Sequence, residues 1–164
     1  MLFDKINVKK LDKELHQYHN KQNNHIMKKL ISTTSLNTDF ATLLLRLVFG
    51  GMFIFHGYPK LANYSEMVKM FGDPIGIGNE LSVILTIFGE FVCGILIVLG
   101  LLTRFAAVPV FITMLVVLFV ALAQAPFTDK MLPFVYIFLS VVIFILGSGK
   151  YSLDAVLFDK KSSN

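Results

Sequence analysis

Residues 40–58 read FATLLLRLVFGGMFIFHGY, a run in which one arginine and one histidine interrupt otherwise apolar or small side chains. At 1.5 Å per residue a helix of that length covers about 30 Å, the thickness of a bilayer's hydrocarbon core. Three further runs, 81–102, 105–125 and 131–147, are of similar length and carry one charged residue among them, Glu90. In lipid the backbone must satisfy its own hydrogen bonds, and each run is too long for a barrel strand of about 10 residues. The sequence therefore predicts an all-α fold, a bundle of four transmembrane helices.

Composition agrees. With 55% hydrophobic residues, 16% charged residues and a mean hydropathy of +0.68, the chain is too apolar for a soluble domain of its length. The charge is also unevenly placed. Lys5, Lys9, Lys10, Lys13, Lys21, Lys28 and Lys29 precede the first run, Arg104 sits between the second and third, and Lys150, Lys160 and Lys161 come after the last. The other two connections hold only Lys60, Lys69 and Lys130. By the positive-inside rule both termini and the Arg104 turn lie in the cytoplasm, an N-in/C-in topology that suits a multi-pass protein of a bacterial inner membrane. The basic pI of 9.2 reports this topology and contact with anionic lipid. No basic domain with interleaved aromatics points to nucleic acid.

The chain divides into three regions: a polar cytoplasmic extension over 1–38, a membrane domain over 39–158 and a short tail over 159–164. The extension has no apolar core followed by a cleavage site, so it is not read as a signal peptide. Met27-Lys28-Lys29 resembles an alternative start. His16, His19 and His25 are too loosely spaced for a compact metal pair, and this segment reads as a solvated, partly disordered tail without metal. The lone cysteine, Cys93, removes an intrachain disulfide, a dithiol motif, a covalent c-type haem and a thiolate cluster. Redox chemistry then needs a partner or a bound small molecule.

The first connection is long and organised. Asn63 with Glu66 three residues on resembles a capping box, Tyr64, Met67, Val68 and Phe71 come next at helical spacing, and Gly72 is a natural stop. This predicts a short interfacial helix on the outer face, as an anchor or as a lid over an outward-facing cavity. Asp73-Pro-Ile-Gly-Ile-Gly78 then turns back into the second span, with two glycines able to take positive φ.

Charges inside a span cost about 2.5–3.5 kcal/mol on insertion scales, so Arg46 needs a partner. Glu90 is the obvious one. Arg46 lies about 9 Å and Glu90 about 18 Å from the cytoplasmic end, a gap that the arginine stem can bridge. An Arg46–Glu90 ion pair is expected. At 100° per residue Arg46, Gly50, Phe53, Gly57 and Lys60 share one stripe, and Thr86 and Gly94 flank Glu90 on the second helix, so these stripes should pack closely. This pair either locks the bundle or floors a pocket with His56 and Lys60 near its mouth. Gln124, Asp129 and Lys130 lie near the same face. His56 alone is a poor haem ligand, since no other histidine lies in a span.

Arg46-Leu47 through Gly50-Gly51 to His56-Gly57 and Lys60-Leu61, then Glu90 with Gly94, then Gly100-Leu-Leu-Thr103-Arg104, and finally GSGKYSLD at 147–154 resemble the DoxX family of small bacterial membrane proteins. The resemblance spans about 40–157. It implies a four-helix bundle in the plasma membrane and an association with quinone-linked oxidoreductases, terminal-oxidase and thiosulfate-oxidising systems among them, or with quinone detoxification. It places Arg46, His56, Lys60, Glu90 and Arg104 on motif positions without assigning them a catalytic role.

Two functions from different classes fit. One is an accessory subunit that binds a quinone, with Arg46, Glu90, His56 and Lys60 as its polar pocket, no covalent cofactor, and electrons supplied by a soluble or membrane oxidoreductase partner. The other is a non-catalytic scaffold or small transporter. Either form is compatible with a homo-oligomer.

Overall fold

The structure, a computed structural model, describes residues 13–23 and 37–158. They belong to two units, Met1–Thr38 and Asp39–Asn164. In the first, residues 13–23 form a helix (α1) whose residues, His16 and His19 among them, are all exposed. His25, the Met27 start and the 159–164 tail lie outside the described residues.

The second unit is all helical among its described residues. Four helices are long and apolar enough to cross a membrane: α2 (Thr38–Ala62), α4 (Asn79–Leu99), α5 (Thr103–Ala121) and α6 (Phe127–Leu146). Two short helices accompany them, α3 (Tyr64–Met70) after the first span and α7 (Leu153–Phe158) after the last. The periodicity did not announce α7. Span ends move by a few residues from the apolar runs. Gly100 (φ 70°) and Leu102 (φ 49°) take left-handed backbone and stop α4 early, and α6 starts at Phe127, where Asp129 occupies its first turn. Both α4 and α5 contain a π turn, at Phe88–Val92 and Val117–Ala121.

An even number of spans returns the chain to its starting side. Asp39, Gly100, Ser148 and Asp154 therefore mark one end of the bundle, called here the terminal face, while α3 and the 71–78 loop mark the loop face. The glycine stripe packs as its spacing predicts. A Cβ on Gly50 would lie 2.7 Å from the Gly94 carbonyl oxygen, one on Gly94 3.0 Å from the Gly50 carbonyl oxygen, and one on Gly57 2.7 Å from the Phe91 nitrogen. Only glycine lets α2 and α4 approach this closely. Phe49, Phe53, Cys93, Ile97, Val110, Tyr136 and Ile143 fill the centre. Outside, Val48, Phe55, Phe105, Ile112, Phe119 and Phe138 stay exposed, an apolar girdle that suits lipid and not water.

The first connection forms without its capping box. Asn63 precedes α3, but its amide nitrogen donates back to the Pro59 carbonyl (3.0 Å) and no side chain caps the helix. The loop is instead stapled by Asp73. Its carboxylate accepts from the Ile77 N–H (2.9 Å), the Gly78 N–H (2.8 Å) and the Ser82 hydroxyl (3.3 Å), while Gly76 and Gly78 take positive φ. The backbone donors, Gly78 first, hold the Asp73 carboxyl below the usual carboxylate range. In the same connection, burial first and then the nearby Glu80 carboxylate push the Tyr64 phenol up.

Candidate functional site

Arg46 does not meet Glu90. Only 1% exposed, it donates from Nε to the Ile97 carbonyl (3.0 Å) and from Nη2 to the carbonyls of Val98 (3.1 Å) and Tyr151 (3.1 Å), and from Nη1 to the Ser148 carbonyl. Ile97 and Val98 lie in the last turn of α4, so the guanidinium bonds carbonyls at that helix's C-terminal end, where the Ile97 carbonyl also accepts from the Gly100 N–H (3.1 Å), and sits at the negative end of its dipole. Ser148 and Tyr151 belong to the loop after α6. The expected ion pair fails because these four carbonyls lie nearer than the carboxylate, which is about two helical turns away along α4.

The family motifs around this arginine build the same joint. A Cβ on Gly100 would strike Arg46 Nη2 and the Ser152 Cβ at 2.6 Å, and its positive φ independently favours glycine. Asp154 accepts from the backbone N–H groups of Leu102 (2.8 Å) and Thr103 (3.4 Å), capping α5 from across the loop, and its own N–H donates to the Gly100 carbonyl (3.0 Å). Asp39 accepts from the Lys150 N–H (3.1 Å). Arg104 is exposed and its side chain lies over Gly147. Arg46, Gly100, Thr103 and the 147–154 segment thus fasten the ends of all four spans together.

The remaining candidates form a second group toward the loop face. Glu90 lies in the π turn of α4, 4% exposed, and pairs with Lys60 of α2. Lys60 also donates to the His56 carbonyl (3.2 Å). Since Gly57 seats against Phe91, Glu90, His56 and the lysine nitrogen occupy one level of the bundle. A π turn inserts one residue into the helix and rotates the residues beyond it, a device frequent at functional sites. His56 is half-buried, and its Nε2 is buried with no hydrogen-bond partner. Sequence reasoning missed Tyr136. Its ring packs on Phe53 (4.9 Å between centroids) and Phe49 (5.7 Å), and its hydroxyl is likewise buried and unpartnered. A tyrosine midway along an otherwise apolar span was the available signal. Gln124 takes no place in this group, and Lys130 donates instead to the Ala123 carbonyl (2.8 Å).

A cavity of about 430 Å³ lies elsewhere, between α4 and α5 under the loop residues Phe71–Ile75, with Leu85, Thr86, Thr113 and Val116 in its walls. Residues 71–75 of the first connection line this cavity. Neither Arg46, Glu90, His56 nor Lys60 lines it. Among the described residues no cluster of His, Cys, Asp and Glu is placed to hold a metal.

Four apolar helices, a lipid-facing exterior and mid-span charges turned to the interior define a multi-pass integral membrane protein. The DoxX family profile matches residues 41–123, which include nearly all of the first three spans. The chain belongs to the DoxX family. It is 30% identical over 129 residues, 77% of this chain and 94% of the relative, to a Bacillus subtilis (strain 168) protein named "Putative oxidoreductase CatD". No solved structure matches the chain.

Proposed function

We propose that the protein is the quinone-binding membrane subunit of an oxidoreductase system, seated in a bacterial inner membrane with its terminal face in the cytoplasm. The observation that carries this reading is the under-satisfied polar layer. A largely buried Lys60–Glu90 pair sits beside a histidine nitrogen without a partner, inside an apolar bundle where such groups are expensive unless used. The name of the Bacillus subtilis relative is in keeping with an oxidoreductase system. A quinone reaches such a layer through lipid and presents carbonyl oxygens that Lys60 and His56 can bind. Reducing it takes two electrons and two protons. Glu90 and His56 are the groups at this level that can relay those protons, and the electrons come from a partner oxidoreductase, since the chain's one cysteine supplies no dithiol.

The test is native mass spectrometry of the protein extracted with its own lipids, beside a Lys60→Met/Glu90→Leu double variant. That variant removes both charges together and so leaves no unpaired ion. A quinone retained by the wild type and absent from the folded variant is the expected result. No quinone on either, with a soluble enzyme copurifying with both, would replace this reading by a docking scaffold.

A further inference from the structure

Among the described residues three buried side-chain polar atoms belong to no hydrogen bond: Thr103 Oγ1 at the terminal face and, on the loop-face side, His56 Nε2 on α2 and the Tyr136 hydroxyl on α6. Tyr136 is 6% exposed and its ring is wedged on Phe53 and Phe49, so the phenol is held, not swinging. On α2, Phe49, Phe53 and His56 fall within about 60° of arc at 100° per residue, so His56 lies on the side that faces α6. Depth agrees. Phe53 is nine residues before the end of α2 and Tyr136 nine after the start of α6, about 14 Å from the loop-face end in each case. Side chains lean toward the N-terminus of their own helix, and α2 and α6 run in opposite directions. From its level the Tyr136 phenol leans toward the loop face, while His56, one turn nearer that face, leans back down.

The geometry points to Tyr136 and His56 as a two-sided clamp for one carbonyl oxygen of a quinone, entering from the lipid between α2 and α6. The phenol donates one hydrogen bond, and His56, protonated at Nε2, donates the second. A carbonyl oxygen has two lone pairs and accepts both. This explains why neither group has a protein partner although burying a polar group unpaired is costly. His56 is half-buried, so its ring borders the lipid from which such a ligand would come. The Lys60–Glu90 pair is tied to the same turn through the His56 carbonyl and charges the wall behind the clamp. The inference rests on the quinone reading and adds to it the oxygen's two donors and the side of entry.

The experiment is titration of the full-length protein in detergent with decylubiquinone, read by binding and by the infrared carbonyl stretch of the bound quinone. The wild type is expected to bind with one carbonyl stretch lowered by hydrogen bonding. Tyr136→Phe keeps the ring that packs on Phe53; it should bind about ten-fold more weakly, with that stretch moved back toward the free value. His56→Leu should do the same, and His56→Gln, which restores an N–H donor, should recover part of both. Full binding with an unmoved stretch in Tyr136→Phe would overturn the clamp and leave the quinone reading standing. No binding to the wild type would overturn both.

Discussion

The terminal face and the polar layer each bring a cation from α2 against α4 next to a close glycine contact, yet they end in opposite states. At the terminal face Arg46 spends its donors on four carbonyls from two segments. In the polar layer Lys60 and Glu90 satisfy one another while His56 Nε2 and the Tyr136 hydroxyl are left over. The completed network around Arg46 has nothing to offer a ligand and serves as a joint, although Thr103 Oγ1 at that end is buried without a partner. An incomplete one carries an energetic cost that binding can relieve, which is why function is assigned to the second and stability to the first.

The sharpest way to break this contrast is Arg46→Met. Four carbonyls lose the guanidinium, of which Ile97 keeps the Gly100 N–H, and removing one side of a buried charged network costs about 3–5 kcal/mol. Thermal unfolding in detergent should show the loss, and an unchanged melting temperature would strip Arg46 of its role as a joint. Gly100→Ala should come next at about 1–3 kcal/mol, because the new Cβ meets the guanidinium and the backbone there is left-handed. Its quinone binding, measured below the melting transition, should stay intact.

The polar layer should behave differently. Lys60→Met/Glu90→Leu is expected to unfold within about 1 kcal/mol of the wild type, since exchanging a buried ion pair for apolar side chains is often neutral or better. Glu90→Gln alone, which leaves Lys60 without its counter-ion, should cost more than the double variant. If the double variant were the less stable of the two, the layer would be another joint.

The smallest effect belongs to the loop of the first connection. The Asp73 carboxylate has a folded pKa below its ordinary value of about 3.9, so its contribution is complete above that value and is lost as pH falls through the lowered one. The amide resonances of Ile77 and Gly78 should therefore move together with a midpoint below the ordinary carboxylate value. An Asp73→Asn variant should show no such step, and a midpoint at or above the ordinary value would remove the staple.

Much of this was legible in the residues. The four spans are set by run length because lipid leaves a backbone no other solution, and the packing of Gly50, Gly57 and Gly94 is set by 100° spacing. The short helix after the first span was legible too, although Asn63 turned back to Pro59 in place of capping it. The pairing of the ionisable groups was not legible. Arg46 and Glu90 were matched by sign and depth, but depth along two helices says nothing of a backbone carbonyl brought in by the 147–154 loop. Tyr136 escaped notice because its oddity is a missing partner, and a sequence does not display which members of a hydrogen-bond network go unsatisfied.

By itself, then, the sequence determined that this chain crosses a membrane four times, which faces of its first two helices meet, and that its ionisable residues inside the spans are confined to a few positions. Hydrophobic length and helical period are local quantities, and local quantities are written in order along the chain. Tertiary structure alone decided that Arg46 caps α4, that Lys60 takes Glu90, and that His56 Nε2 and the Tyr136 hydroxyl are left without a protein partner. Those choices depend on which donors and acceptors come within about 3 Å in three dimensions, among segments as far apart in sequence as Arg46 and Tyr151.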